Sequence, residues 1–443
     1  MRRTVLFLAG LVAPAALLAQ LPTTSPRSLA LGGAYTSLAR GWEAVSWNPA
    51  LLAARGRPRF TLGLPQLSFE FGSNSYGFGD FRKYANRTLD AADKAYLLGK
   101  IDTSLTVREI LAVSPVGISI GRFAFTAATS GDMDASLGKD AVDLALNGNA
   151  HRSGPGEYFT ARGSGANGWA ATTLAGSFAW PFQTSLGRLA LGATYKRVIG
   201  HFIGRAAETS SSFQVNPAFD VSASGHTIYT DYSRAYRLSG PGDLLGGEGK
   251  AGSGYGVDLG ATLELEGRSL MLSAVIVNAL GGMSWDEDRF AYERSAASVS
   301  QTAGGQIVDD TTRVELTTKG QIDADPQARG LRDSLLAHAG FARVVRAGMA
   351  LRRGALSLAA GGQLRLSKGL DRVPSASIGA GAEIRLLRVL PLRAGAATDF
   401  NSVTLSAGSG LQLLGLNADI SVATISGSKR PGVVLGLGIG FIY

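Results

Sequence analysis

The last nine residues, LGLGIGFIY, alternate without interruption. Leu435, Leu437, Ile439, Phe441 and Tyr443 take every second position, and Gly436, Gly438, Gly440 and Ile442 fall between them. A period of two is that of a β-strand with one apolar face. It recurs upstream. Leu356, Leu358, Ala360, Leu364 and Leu366 alternate with Ser357, Gln363, Arg365 and Ser367, and Val403, Leu405, Leu411 and Leu413 alternate with Ser402, Thr404, Ser406 and Gln412. The segments run about 10–13 residues, the length of a tilted membrane-spanning strand; strands of soluble proteins average about 5–6. Past the N-terminus no apolar run reaches the roughly 18 residues that a spanning helix needs. The alternation therefore predicts an all-β fold, a transmembrane antiparallel β-barrel.

Composition supports this and excludes alternatives. Charged residues make up 17% of the chain and the mean hydropathy is +0.12, too apolar and too weakly charged for a disordered chain. The 59 glycines show no three-residue period and there are only 15 prolines, which excludes collagen. With no cysteine, a disulfide or cysteine–metal scaffold is impossible. The formal charge of +9 comes from dispersed residues and pairs such as Arg352-Arg353. Nucleic acid is therefore not an expected partner, whereas anionic outer-membrane lipid is.

Fourteen strand segments are expected: 60–72, 105–114, 117–129, 168–180, 187–199, 254–265, 268–279, 341–352, 355–367, 375–387, 390–400, 402–413, 415–424 and 432–443. The connections between them are asymmetric. Those over 73–104, 130–167, 200–253 and 280–340 are long and polar; the others, such as Pro115-Val116, Glu266-Gly267, Arg353-Gly354 and Leu414, are short. If the last strand ends in the periplasm, every long loop lies outside, as in bacterial outer-membrane barrels. Tyr443, preceded at alternate positions by Phe441, Ile439 and Leu437, reads as the terminal signal for barrel-assembly machinery. Phe60, Phe69, Phe71, Trp169, Phe178, Trp180, Tyr195 and Tyr255 lie near strand ends and are candidates for interfacial girdles.

The N-terminus reads as an export signal over 1–19: Arg2-Arg3, an apolar run over 5–12, Pro14, and small residues before a cut after Ala19. The cut leaves about +7 of charge on the mature chain. Residues 20–59 read as a plug and 60–443 as the barrel. The stretch 25–53 has no strand pattern: Gly32-Gly33 frees the backbone, Asn48-Pro49 signals a turn, and Leu29, Leu31, Tyr35, Leu38, Val45, Trp47 and Leu51 need burial. The barrel interior is the place available.

This stretch resembles the FadL-type outer-membrane proteins and their PorV-like relatives. The motif is Ser25, Arg27, Gly32, Gly33 and Ala34, followed by Trp47, Asn48, Pro49, Ala50 and Leu52. Gly381, Glu383 and Arg385, with Pro391, Leu392, Arg393, Ala394 and Gly395, are similar to a strand pair of the PorV-like branch. The resemblance implies a fourteen-stranded barrel in the bacterial outer membrane, closed by an N-terminal hatch. It implies passive transport of small hydrophobic molecules, gated at Gly32, Gly33, Trp47, Asn48, Pro49 and Ala50. The alternative is a non-transporting barrel serving a protein-secretion partner. One departure from the FadL type is that the 280–340 loop is polar and partly acidic (Asp286, Glu287, Asp288, Asp309, Asp310, Asp323, Asp325), unlike a greasy capture site. Residues 90–101 read as a short amphipathic helix with Ala95, Leu97, Leu98 and Ile101 on its apolar side.

Nothing in the sequence assembles a catalytic or metal site. His151, His201, His226 and His338 lack ligand spacing to one another. Gly163 to Gly168 matches G-x-G-x-x-G but precedes a strand and no helix. Gly117-Ile118-Ser119-Ile120-Gly121 matches G-x-S-x-G inside an alternating strand, without the strand-to-helix turn a nucleophile elbow requires. Asp286-Glu287-Asp288 lacks EF-hand spacing and reads as a solvated charge run. The expectation is a chain that is not an enzyme, with no metal and no cofactor.

Overall fold

All strand pairings are antiparallel, and they close on themselves. The computed structural model describes residues 25–148, 151–152, 157–214, 220–230, 250–267, 269–301, 306–370, 373–387, 389–427 and 431–443. The expected export signal over 1–19 lies outside them. The strands are β1 (Phe60–Ser73), β2 (Ser104–Ile120), β3 (Phe123–Gly138), β4 (Gly165–Thr184), β5 (Gly187–Gln214), β6 (Asp220–Thr230), β7 (Gly252–Leu265), β8 (Leu270–Trp285), β9 (Phe290–Gln301), β10 (Ile307–Leu316), β11 (Val344–Arg353), β12 (Leu356–Arg365), β13 (Ala376–Leu386), β14 (Leu390–Thr398), β15 (Ser402–Leu413), β16 (Leu416–Gly427) and β17 (Gly432–Ile442). All but β6, β9 and β10 form the barrel, which has fourteen strands as expected. It is sealed by β17 on β1, from Thr61↔Ile442 to Gly72↔Gly432.

The alternation places apolar side chains on the outer wall. Leu437 and Ile439 stay 48% and 46% exposed while Gly436, Gly438 and Gly440 between them are buried. Such a continuous apolar outer band is unusual for a protein surrounded by water. Phe178, Trp180, Tyr195 and Tyr255 project from it. Trp169 corrects the girdle expectation. Its ring is buried in the lumen, where its indole N–H donates to the Leu370 carbonyl (3.0 Å).

One expected turn was misplaced. Pro115-Val116 lies within β2, at a bulge where the ladder to β3 skips from Val113 to Val116, and the chain reverses at Gly121-Arg122 instead. Proline has no N–H for a ladder, so it fits only where the ladder is already interrupted. β1 carries a matching bulge between Gly63 and Gln66 that holds Pro65. Gly121 has φ +60°, a left-handed value that suits glycine.

The long connections are structured. β5 continues past the wall and pairs with β6; β6 pairs with β9, and β9 with β10, so a small sheet projects from the long-loop end. Helices α6 (Lys319–Ala324) and α7 (Pro326–Leu336) fold over the mouth. There Ile322, Ala328 and Leu331 are buried with Trp169, Ile203 and Trp285. The polar 280–340 loop thus supplies an apolar underside. Glu287, of the expected solvated run, pairs with Lys319 and Arg332 (both 3.3 Å) and fastens this cap. In the first long loop, after α3 (Phe78–Tyr84), the helix expected over residues 90–101 is present as α4 (Ala91–Gly99), started by the Asp90 carboxylate accepting from Asp93 N (2.8 Å). Its Leu97 is buried, as is Ile101 beyond its end.

Helix α5 (Lys139–Asn147) is tied to the chain after it by two carboxylates, Asp140, which accepts from Arg152 (3.0 Å) and Thr160 N (3.2 Å), and Asp143. Asp143 accepts from Asn147 (2.8 Å), His151 (3.1 Å) and Arg152 (2.8 Å). Burial works against its charge, but these hydrogen bonds and the positive neighbours outweigh burial, so its carboxyl is held below the ordinary value. A depressed acid stabilises above its unfolded value of about 3.9 and loses that contribution as pH falls through its lower folded value. The α5 loop should therefore resist protease at pH 7 and become cleavable below about pH 4. Asp143→Asn should make it cleavable already at neutral pH, and equal resistance of wild type and variant across the range would refute this.

Candidate functional site

Residues 25–54 cross the lumen in its short-turn half. They comprise α1 (Pro26–Ala30), a turn at Gly41–Glu43, α2 (Ala44–Trp47) and a 3-10 turn at Pro49–Ala53. Leu31, Tyr35, Leu38, Val45, Trp47, Leu51 and Leu52 are all buried there, as their apolarity required.

The wall makes room for this hatch by omitting side chains. A Cβ at Gly63 or Gly117 would lie 2.5 Å from the Trp42 ring. At Gly381 it would lie 2.6 Å from the Leu31 carbonyl oxygen, and at Gly408 2.6 Å from Ala30 Cβ. Inward glycines of β1, β2, β13 and β15 are thus the seat of the hatch backbone.

Polar ties hold it on opposite sides. Near β13 and β14, the Arg27 guanidinium donates to Glu383 (3.1 Å). Glu383 also accepts from Arg385 (3.0 Å) and Arg393 (2.7 Å), and Arg393 reaches Asp419 on β16 (2.6 Å). Within the hatch, Glu43 accepts from Ser25 and from the Tyr35 hydroxyl (2.5 Å). Gly32 N donates to Ser406 Oγ (3.1 Å). Across the lumen, the Asn48 amide donates to the Ala261 carbonyl (3.1 Å) and Thr262 Oγ1 (3.2 Å), while its oxygen accepts from Ala50 N (3.0 Å). Pro49 opens the turn that follows, where no N–H is needed. Arg188 donates to the Ala53 carbonyl (2.9 Å). Trp47 meets the Tyr35 ring edge-on at 5.6 Å and lies under the Arg346 guanidinium at 5.1 Å.

The residues expected at the hatch thus divide into two groups. Trp47, Asn48, Pro49 and Ala50 form the anchor against β5, β7 and β8, and Gly32 lies against β14 and β15. Gly33 has open space beside it and left-handed φ of +74°. In the polar network, Tyr35, Glu43 and Asp419 belong to no sequence motif, and Arg27, Glu383 and Arg393 belong to motifs that do not name their partners. A local signal existed: Glu383, Arg393 and Asp419 occupy inward positions on strands whose other inward residues are mostly glycine, alanine or serine. Ser119, of the G-x-S-x-G match, is buried and shares a hydrogen bond with Thr61 (2.6 Å), whose oxygen accepts from Trp42 N (3.0 Å). Leu437 and Ile439 project from the wall, and the Tyr443 backbone pairs with Phe60 (2.9 Å).

A second feature lies in the wall above the hatch. β8 pairs with β11 only up to Val277↔Val344, then bends away. The bend is a bulge: β7 advances from Val257 to Leu259 while β8 advances from Leu280 to Ile276. Asn278 sits in it with φ +51°, a value asparagine tolerates. Its backbone N–H donates to Asp258 (2.7 Å), which pairs with Lys196 (2.7 Å), and its amide donates to the Ala342 carbonyl (2.9 Å). Where the strands part there is a cavity of about 170 Å³. Lys196 and Val198 line it from the lumen side; Tyr255 and Arg343, at outward positions, line it from the other.

The family model described as "Family of unknown function (DUF5723)" matches residues 49–335, more than half of the chain. No curated protein matches. Among solved structures, the chain is similar to the Ralstonia pickettii toluene transporter TbuX (13% identity, 96% of this chain and 99% of that one, TM-score 0.46). It is similar also to the Pseudomonas putida toluene transporter TodX (12%, 96% and 99%, 0.45) and to a Pseudomonas aeruginosa FadL homologue (12%, 96% and 100%, 0.46).

Proposed function

The chain belongs to the DUF5723 family, and we propose that it is a bacterial outer-membrane channel for passive passage of small hydrophobic molecules, gated by its N-terminal hatch. One observation carries this reading: the barrel axis is filled by the hatch, while the wall parts beside β8 at a cavity lined from the lumen side by Lys196 and Val198 and from the outward side by Tyr255 and Arg343. A solute that must stay out of water gains from leaving sideways into lipid rather than downwards into an aqueous space. Gly32, Gly33 and the Trp47-Asn48-Pro49-Ala50 anchor are the gating elements. The terminal Leu437, Ile439, Phe441 and Tyr443 act as the signal to barrel-assembly machinery.

The test is a plug in the wall. Gly282 lines the cavity and has open space where a side chain would go. Gly282→Trp should preserve folding and lower toluene entry into proteoliposomes about tenfold or more, the order expected from closing one steric path. Entry at the wild-type rate would refute the lateral route, and no entry with wild type or a hatch-deleted chain would refute transport itself.

A second reading, a barrel serving a secreted protein, draws on the projecting sheet. β10 pairs with β9 alone among described strands, and Ile307 and Val308 are exposed on it. A free edge of this kind can take up another chain as an added strand. Recovery of a partner from the cell envelope by wild type, lost when β10 carries a proline at Thr311, would support it.

A further inference from the structure

We propose that the outer wall carries a binding site for phosphorylated headgroups of outer-leaflet lipid, formed by Arg197 and Arg343 on either side of Tyr255. The proposal rests on reading the chain as an outer-membrane barrel. Both arginines occupy outward positions: Arg197 follows Leu191, Ala193 and Tyr195 on the exposed face of β5, and Arg343 precedes Val344, whose side chain is buried. Both are exposed. Tyr255 is the cross-strand neighbour of Arg197, and it lines the same cavity as Arg343.

Their height follows from their residue position along the strands. Arg197 lies ten residues above the start of β5, and Arg343 ten residues before the end of β11; Tyr255 is likewise ten residues from the end of β7. Ten residues rising about 3.3 Å each, at a tilt of about 40°, climb about 25 Å, the height of the apolar band of such barrels. The two cations therefore reach the upper edge of the band. Tyrosine at this level is expected at an interface, and Tyr195 and Tyr255 are 58% and 51% exposed.

The charge lacks an internal answer. Among described residues neither arginine has a carboxylate within ion-pair distance. Arg343 donates one bond, to the Asn278 carbonyl (3.3 Å), and keeps the rest of its fork outward. Arginine presents a planar fork that fits phosphate oxygens, and a phosphate layer at this depth would complete both groups. Lipid that fills the site also borders the opening beside β8, so the phosphorylated headgroup would frame the lateral path.

The experiment uses the full chain folded in detergent and native mass spectrometry. The probes are bisphosphorylated lipid A, lipid A stripped of phosphate, and inorganic phosphate. Wild type should retain the bisphosphorylated form at least about tenfold more than the stripped form, since each charge-assisted bond is worth about a factor of ten or more. The double variant Arg197→Gln/Arg343→Gln should lose that preference while keeping the heat-modifiable mobility of a folded barrel, and Arg289→Gln, in the cap, should keep it. Equal retention of the two lipids, an unchanged double variant, or displacement of the lipid by inorganic phosphate would overturn the site. Failure of wild type to insert into vesicles would instead overturn the membrane reading on which it rests.

Discussion

Glu383→Ala is expected to release the hatch while the barrel stays closed. Glu383 is 2% exposed and accepts from Arg27, Arg385 and Arg393. Its removal leaves Arg27 without its wall partner and Arg393 with Asp419 alone. Breaking a buried ion pair from one side typically costs about 3–5 kcal/mol, because the remaining charge stays desolvated. The ladder between β13 and β14 is made by backbone groups and would persist. The cost therefore falls on the weaker structure, a 30-residue segment without strand pairing. Trypsin should then cut at Arg40 at least tenfold faster than in wild type, with folded-barrel mobility unchanged. Glu383→Gln, which keeps the shape and one acceptor, should fall between the two. Wild-type protection in Glu383→Ala would mean that packing alone holds the hatch.

The second large effect is expected from filling the seat. Gly381→Leu places a side chain where the Leu31 backbone now lies, 2.6 Å from its carbonyl oxygen even at Cβ. Hatch backbone cannot yield by changing a rotamer, so it must leave. A fourteen-stranded barrel without its filling encloses a water-filled lumen. Planar bilayers with the variant should show stable ion conductance, and those with wild type little or none. Gly348→Leu is a weaker perturbation of the same kind, since its Cβ would lie 3.2 Å or more from its neighbours. A non-conducting Gly381→Leu that folds normally would mean the cap of α6 and α7 closes the pore by itself.

Much of the wall was legible because its information is local. Leu435 to Tyr443 show their outward face by alternation, and the resulting strand lengths separate a membrane barrel from a soluble sheet. Pro115 shows where local reading fails: a proline within a strand and a proline in a turn present the same signal. Only the partner ladder, which skips from Val113 to Val116, distinguishes them. Trp169 failed for a related reason. It lies near a strand end, but the side on which an aromatic is useful depends on what covers the lumen, here the segment bearing Leu370, 201 positions away. The hatch was legible as a segment, since 25–53 is apolar and lacks a strand period, but its fastening was not.

The sequence by itself determined the outward face of most wall strands, roughly where those strands run, and that an apolar N-terminal segment needs shelter. These follow from a two-residue period and from hydrophobicity, both properties of neighbours along the chain. Tertiary structure alone decided that Arg27 meets Glu383 across 356 positions, that the 280–340 loop covers the mouth, and that the wall parts at Asn278. Periodicity assigns a side chain to a face without naming its partner. Partners are chosen by closure of the barrel and by the burial of charge, and both act between residues far apart in the chain.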